Sequence, residues 1–498
     1  MKKIICVILA LLTVFGVSVM TGCAGNPADT GKPDETTSNV TNAITTVNET
    51  ETETETETEA ETSALPDVSY GGEEFRILSQ SDGNRHYDVF AEEADNNDTV
   101  RDAVHNRNLA VEDRFKVKIV VEFDVNANVN AVIDRMVKSG SDEYDLCFVH
   151  MVSGAALAAE HDFVAFEDLE YIDLSKPWWD KNLKDGFSIG NRLYMANGDI
   201  SPSSFSTTSC LYFNKNMFEK YDLEYPYQLV RDGKWTLDKL IEYTKDITAD
   251  GDGDGKVDPY SASDKFGLTS WLYDVPYSLY YGAGGNLVSK DEKDMPVYDP
   301  DINRDVEIYG KIYDVIVTNN AYFENADYNN VGNVFINGQA MFYDASLLLA
   351  SRLRDMNYEF GILPMPKYSE TQTEYRSFVN GASSMVCVPA SCKDLQRASI
   401  ITEALASEAY KTVTPVLYET YLKRKITRDA DSAEMIDYIV RNRVFDMGYI
   451  NLFDGIGSYV RNLLGSKSTN VASTFEQYEK SSKNAIENLI KAYNKSAG

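Results

Sequence analysis

Val117-Lys118-Ile119-Val120-Val121-Glu122-Phe123 reads as a strand, with Val117, Ile119, Val121 and Phe123 on one face and Val120 on the other. Immediately before it, Thr99 to Phe115 carries apolar residues at Val100, Val104, Leu109, Val111 and Phe115, and Asp98 is placed to cap a helix. Outward from this pair, Phe75-Arg76-Ile77-Leu78 alternates as an earlier strand. Ala131 to Lys138 predicts a second helix, and Tyr144 to Val149 a third strand. Strand, helix, strand, helix, strand is the pattern of a parallel α/β sheet. Further along, Thr236 is placed to cap a helix Leu237 to Ile247. The last quarter predicts helices over Leu395–Ser407, Thr414–Lys423, Ala433–Val444 and Thr474–Ala492.

The N-terminus has a different character. Met1-Lys2-Lys3 is a short positive segment, Ile4 to Val19 is almost wholly apolar, and Met20-Thr21-Gly22-Cys23 ends the run with small residues before a cysteine. Charge, apolar stretch and small-residue site in that order make a signal peptide over residues 1–22. The run is shorter than the roughly 20 residues of a membrane span. The cysteine resembles that of a bacterial lipobox, which implies lipidation of Cys23 and anchoring at the outer face of the cell membrane. Residues 23–66 are rich in Thr, Glu, Asn and Pro and include the Glu-Thr alternation of Glu49 to Glu61. They have too little apolar surface to fold and are expected to be a disordered acidic tether. As a flexible coil of about 45 residues the tether would hold its ends roughly 40 Å apart.

Composition narrows the function. The chain has 498 residues and a formal charge of −31, which argues against nucleic acid and anionic lipid as partners. Past the tether about 430 residues remain, enough for two or three domains. Of six cysteines, Cys6 leaves with the signal and Cys23 is the anchor. Cys147, Cys210, Cys387 and Cys392 are too few for a disulfide scaffold in so large a body and read as buried thiols. The four histidines, His86, His105, His150 and His161, have no metal-ligand spacing, and no nucleophile elbow, phosphate loop or zinc-protease motif occurs.

Several segments together resemble the extracellular solute-binding proteins of ABC importers, specifically the carbohydrate-binding family 1. They are Arg101-Asp102-Ala103-Val104-His105-Asn106-Arg107-Asn108 leading to Phe115 to Ile119, Asp173 to Asp180, Leu193 to Ser201, Gly233 to Leu240, Tyr281 to Gly285, Val334 to Phe342 and Phe360 to Lys367. The resemblance implies a bilobed periplasmic-binding-protein-like fold, with two α/β lobes joined by a hinge around a ligand cleft. Lobe one is then expected at 70–197 and 333–378, and lobe two at 198–332 and 379–498, with crossings near Gly198, Phe335 and Gly381. It also implies a monomer that catches a sugar or oligosaccharide and delivers it to permease and ATPase subunits.

Aromatic rings cover the apolar faces of sugars while polar side chains take the hydroxyls. With 32 Tyr, 21 Phe and 4 Trp the chain is equipped for this. Trp271 stands near Tyr273, Tyr277, Tyr280 and Tyr281 and is either a stacking residue or core; Tyr280 and Tyr281 are candidates with it. Of Trp178 and Trp179, one is expected in the core and one towards ligand, since adjacent residues rarely share a face. Trp235 reads as core. Tyr343 and Asp344 follow a strand, Asp344 serving as a helix cap or a hydroxyl acceptor. Ser79, Gln80 and Asp82 follow the first strand, where α/β sheets place ligand loops.

Asp250-Gly251-Asp252-Gly253-Asp254-Gly255-Lys256-Val257-Asp258 matches the first nine positions of an EF-hand calcium loop. Asp250, Asp252, Asp254 and Asp258 would ligate, Lys256 would give its carbonyl, and Gly255 would allow the turn. Ser261 stands where a bidentate acid belongs, and Asp264 is the residue that can reach in instead. Related solute-binding proteins often carry such a loop as a structural calcium site, so a structural calcium ion is expected here. Two alternatives to a sugar receptor stay open: a secreted glycoside hydrolase, which needs two carboxylates across one cleft, and a receptor for another solute such as a peptide. A surface adhesin would show β-rich domains or repeats, and neither is present.

Overall fold

Asp98 accepts hydrogen bonds from the amides of Val100 and Arg101, at 3.1 and 3.3 Å, and so starts the helix Thr99–Phe115 where the sequence places it. The next strand, Lys118–Asp124, lies parallel to Glu74–Gln80, and Leu146–His150 lies parallel on the other side of Glu74–Gln80. In the computed structural model, which describes residues 63–80, 88–89, 98–124, 128–324, 327–353 and 356–495, a fourth strand, Ser384–Cys387, joins this sheet antiparallel to Leu146–His150. Cys23, tether residues up to 62 and Asp82 lie outside the described residues; the last four positions expected in the tether, 63–66, are described, and Leu65 packs against the core of the first sheet. Among the described residues no helix is long and apolar enough to cross a membrane.

A second sheet has the order Phe360–Leu363, Ser209–Asn214, Ala340–Ser346, Phe266–Trp271, Tyr322–Glu324. Its two edges are built differently: antiparallel pairs on the Ser209–Asn214 side and parallel pairs around Phe266–Trp271. Each sheet has its own apolar core. One gathers Phe75, Ile77, Val111, Phe115 and Phe148; two others line the faces of the second sheet, around Phe213, Trp235 and Phe342, and around Tyr212, Phe335 and Phe360.

This pairing corrects the expected division of the chain. Residues 333–378 were assigned to lobe one, but strands Ala340–Ser346 and Phe360–Leu363 pair with Ser209–Asn214 and belong to lobe two. Ser384–Cys387, expected in lobe two, completes the first sheet. No crossing occurs at Phe335, which is buried in the helix Tyr328–Ile336 against the second sheet. The expected helix end at Val444 is also corrected. The helix Ala430–Arg441 stops, and Arg443–Val444 forms a short parallel strand with Ser377–Phe378.

The chain passes between the sheets along one strip. Thr208 bridges Val379, the Asn380 amide donates to the Thr207 carbonyl at 3.1 Å, and the Val379 amide donates to the Val444 carbonyl at 3.1 Å. Arg443 is buried beside them. Its guanidinium pairs with Asp180, donates to Ser204 Oγ at 3.1 Å and lies 4.2 Å from the Phe205 ring centre. Gly198 sits at the entry to the strip, where a Cβ would meet the Trp178 carbonyl oxygen at 2.0 Å, so only glycine fits.

Trp178 and Trp179 are both core, which corrects the expectation that one would face ligand. The two indole N–H groups donate to the two carboxylate oxygens of Glu403, each at 2.9 Å, and Trp178 has no exposed surface. A single acceptor with two oxygens lets adjacent residues be buried together. Four thiols, Cys147, Cys210, Cys387 and Cys392, are free and buried. Replacing Glu403 by Ala leaves two buried indole donors unpaired, at about 1–3 kcal/mol each. Urea unfolding of Glu403→Ala should therefore show a loss of about 2–6 kcal/mol; an unchanged midpoint would remove the clamp from the account.

Candidate functional site

A cavity of about 240 Å³ opens where the two sheets and the crossing strip meet. From the first lobe it takes His150, the last residue of its strand, and Val152. From the second it takes Trp271, also last in its strand, with Tyr273, Tyr277, Tyr449 and Arg461. Asn380, Gly381 and Ala382 of the crossing segment form the floor. Open α/β sheets bind ligands at the carboxyl ends of their strands, where loops diverge and backbone groups are free.

The lining is aromatic, with polar groups set into it. Trp271 and Tyr273 have ring centres 4.8 Å apart, and Tyr328 meets Trp271 edge-on at 5.3 Å. Tyr277 and Tyr449 pack at 4.7 Å, and the Arg461 guanidinium lies 5.0 Å from the Tyr273 ring centre. Trp271 Nε1 is shielded from solvent and has no hydrogen-bond partner among the described residues. His150 caps its helix by accepting the Val152 amide at Nδ1, 3.2 Å, which puts the proton of the neutral ring on Nε2.

Two carboxyl groups sit behind the aromatic wall. Asp274 accepts from Asn380 Nδ2 at 2.6 Å, and Asp344 Oδ2 accepts from Ser270 Oγ at 2.8 Å. Burial pushes Asp274 up to about 7, helped by the neighbouring Asp344 charge, and pushes Asp344 up to about 6. Asp274 ties the crossing segment to the second lobe through Asn380.

A larger cavity, of about 510 Å³, opens on the crossing strip at Lys290, Arg376 and Asn442. Phe445 is its one aromatic lining residue, so it lacks the stacking surface of the smaller cavity.

The acidic loop is folded on itself in the second lobe. Asp250, Asp252 and Asp254 bring one carboxylate oxygen each within 4.8 Å of one another. Asp250 also accepts the amides of Gly253 and Gly255, at 2.6 and 2.8 Å, and these bonds hold its carboxyl below the usual range. Gly255 has φ +88°, the left-handed turn the motif requires. Asp258 receives the amides of Tyr260 and Ser261, while Ser261 Oγ donates to Asp252 at 2.7 Å. Asp264 does not reach into the group as expected. It is buried beneath the loop, and its two oxygens accept the Gly251 and Asp258 amides at 2.9 and 2.8 Å. The carboxylate trio, with the Lys256 carbonyl and Asp258 at the motif's later positions, suits a hard cation with oxygen ligands; Asp264 braces the backbone.

The family model for bacterial extracellular solute-binding proteins matches residues 82–397. The chain belongs to that family. Its sequence matches no curated protein. Among solved structures, a cyclo/maltodextrin-binding protein complexed with maltotetraose aligns over 85% of this chain and 97% of that one, at 12% identity and TM-score 0.52. UspC of M. tuberculosis aligns over 82% of this chain and 100% of its own, at 12% identity and TM-score 0.52. The apo form of RafE from Streptococcus pneumoniae aligns over 85% and 98%, at 14% identity and TM-score 0.50. At such identities the likeness is one of fold, the bilobed periplasmic-binding-protein-like architecture.

In this solute-binding protein the expected ligand residues part company. Trp271 lines the cavity. Tyr280 and Tyr281 do not: both are fully buried, donating to Asp305 at 2.5 Å and Asp446 at 2.8 Å. The helix Val275–Gly282 turns them inward and leaves Tyr277 at the cavity. Tyr343 is buried against Phe335 and Tyr212, and Asp344 stands behind the wall rather than at it. Asp344 is also no helix cap, since its strand runs on to Ser346. Gln80 ends its strand half-buried and does not line the cavity, and Ser79 is buried. Sequence reasoning missed His150, Asn380, Tyr449 and Arg461. His150 had a usable signal, as a histidine closing the same strand whose Val149 end was legible.

Both Asp344 and Asp274 hold their protons more tightly in the fold than in the unfolded chain. The stability they contribute is present below the ordinary carboxylate range and is lost as pH rises through about 6 to 7. Asp344→Asn removes one such group and relieves the other. Its melting temperature relative to the parent protein should rise between pH 5 and pH 8; parallel pH profiles for the two proteins would contradict this assignment.

Proposed function

We propose that this protein is the lipid-anchored, ligand-capturing component of an ABC importer, binding a sugar or oligosaccharide in the Trp271 cavity without chemistry. The observation that carries the reading is the cavity itself. An aromatic wall of Trp271, Tyr273, Tyr277 and Tyr449 suits the C–H faces of sugar rings, and the unpartnered Trp271 N–H, His150, Asn380 and Arg461 suit hydroxyls. A ligand touching His150 and Trp271 touches both lobes. It therefore binds the closed arrangement more tightly and shifts the population towards it. The structural likeness to a maltodextrin-binding protein is in keeping with this ligand class.

The anchor would be lipid on Cys23, with residues 23–66 as the tether and 1–22 removed as a signal peptide. Tethering holds the body near its permease and raises the local concentration of loaded protein. The loop at Asp250, Asp252, Asp254, Lys256 and Asp258 would hold a structural calcium ion, supplying charge neutralisation that binds the loop's carboxylates together.

A thermal-shift and calorimetric screen over mono- and oligosaccharides, peptides and polyamines tests the ligand. A sugar should stabilise the protein without being consumed, and Trp271→Ala should weaken its binding at least tenfold, about 1.4 kcal/mol. Release of smaller sugars would point to the hydrolase, and stabilisation by peptides alone would replace the sugar. For the loop, calcium should protect the exposed segment 251–256 from proteolytic nicking, and Asp252→Asn with Asp254→Asn should remove that protection. Equal cleavage with calcium and with chelator would end the calcium assignment.

A further inference from the structure

A second group of acids lies in the first lobe, remote in sequence from the calcium-type loop and matching no loop motif. Asp134 belongs to the helix Val129–Ser139, Glu160 caps the C-terminus of the helix Met151–Ala159, and Asp162 follows two residues later. One carboxylate oxygen from each lies within 4.8 Å of the other two. Two oxygens on one calcium ion, each roughly 2.4 Å from it, are at most about 4.8 Å apart. The spacing is that of a coordination shell.

The decisive member is Asp162. It is 2% exposed, and its Oδ2 has no hydrogen-bond partner among the described residues. A buried carboxylate oxygen left unpaired is costly, and native proteins satisfy such atoms. Lys138 supplies the nearest cation, but its ammonium pairs with Asp134 and approaches Glu160 Oε2 at 3.5 Å. It forms ion pairs with two of the three acids and none with Asp162, whose charge it and His161 favour only at longer range, too weakly to offset burial and the two neighbouring carboxylates. Asp162 is accordingly pushed up to about 6, by burial first and then by Asp134 and Glu160. Asp134 is half-buried and Glu160 exposed, so the group is open to solvent on one side and water can complete a shell.

We propose that Asp134, Glu160 and Asp162 form a second divalent-cation site, for a hard, oxygen-seeking ion of the calcium class, independent of the acidic loop in lobe two. An all-carboxylate ligand set with one open side favours calcium over softer metals. On binding, Lys138 swings out to solvent, where most of its side chain already lies.

The position gives the ion a structural consequence. His161, between two of the ligands, holds φ +63° and meets the Ala492 carbonyl through Nε2 at 2.5 Å. Tyr493 packs edge-on against both His161 and Tyr194. These contacts seat the end of the C-terminal helix Val471–Asn494 on the first lobe, while Phe475 of the same helix packs on Tyr459 in the second lobe's core. A cation at Glu160 and Asp162 would stiffen the turn on which that helix rests.

The test uses the full chain, stripped with chelator, carrying Asp252→Asn and Asp254→Asn to silence the loop. Calcium chloride titrated by calorimetry should still report one site per chain. Adding Asp162→Asn should abolish that site. Adding Glu160→Gln instead, a change at an exposed position that leaves the core intact, should weaken it at least tenfold. Absence of binding by calcium, magnesium and manganese in the loop-silenced protein would overturn the proposal. So would an affinity that neither Asp162→Asn nor Glu160→Gln alters.

Discussion

The chain must pass between its two sheets more than once, and every passage has to satisfy its backbone hydrogen bonds in the same narrow strip. That constraint organises the rest. Thr207 and Thr208, Ser377 to Asn380, and Arg443 to Val444 come from three distant parts of the sequence and bond side by side. A buried backbone group left unpaired is costly, so the three segments hold one another in register. Arg443, wedged against Asp180, Ser204 and Phe205, joins the strip to the first lobe. The cavity is a consequence, because Asn380 to Ala382 leave the strip at the point where His150 and Trp271 end their strands.

Buried acids are the second theme. Glu403, Asp344 and Asp274 all bind their protons more tightly than free carboxyls do, with burial as the largest cause, and all accept hydrogen bonds from buried or half-buried donors. Glu403 takes up both indoles of Trp178 and Trp179, and Asp274 ties Asn380 to the second lobe. In a chain of charge −31 most acids face water, and these few instead organise polar groups that the two lobes enclose. Asp162 shares with Asp344 an enclosed carboxylate oxygen that has no hydrogen-bond partner among the described residues, Oδ2 and Oδ1 respectively, but it lies beside two further acids, Asp134 and Glu160.

Much of the first sheet was legible. Alternation over Val117 to Phe123 and the Asp98 cap report local geometry, and both elements fall within a residue or two of expectation. Lobe membership was less so. Ala340–Ser346 and Ser384–Cys387 are short apolar strands that suit either sheet, and only pairing assigns them. At the site, Trp271 was recognisable from its aromatic neighbourhood, whereas Tyr280 and Tyr281 shared that neighbourhood and went to the core. Composition cannot tell which side of a helix faces a cavity. Tyr449 and Arg461 carried no local signal, because they lie nearly two hundred residues from Trp271 and meet it only through folding.

By itself the sequence determined the local elements, the run of segments typical of bacterial solute-binding proteins, and the acidic loop's turn chemistry. Each depends on residues within a few positions of one another, where capping, alternation and glycine conformations act. The tertiary structure alone decided which aromatics line the cavity, which acids are buried, and that Asp134 meets Glu160 and Asp162. Those outcomes depend on packing between segments far apart in the chain, and burial, which sets both ring access and carboxyl charge, is a property of the assembled body.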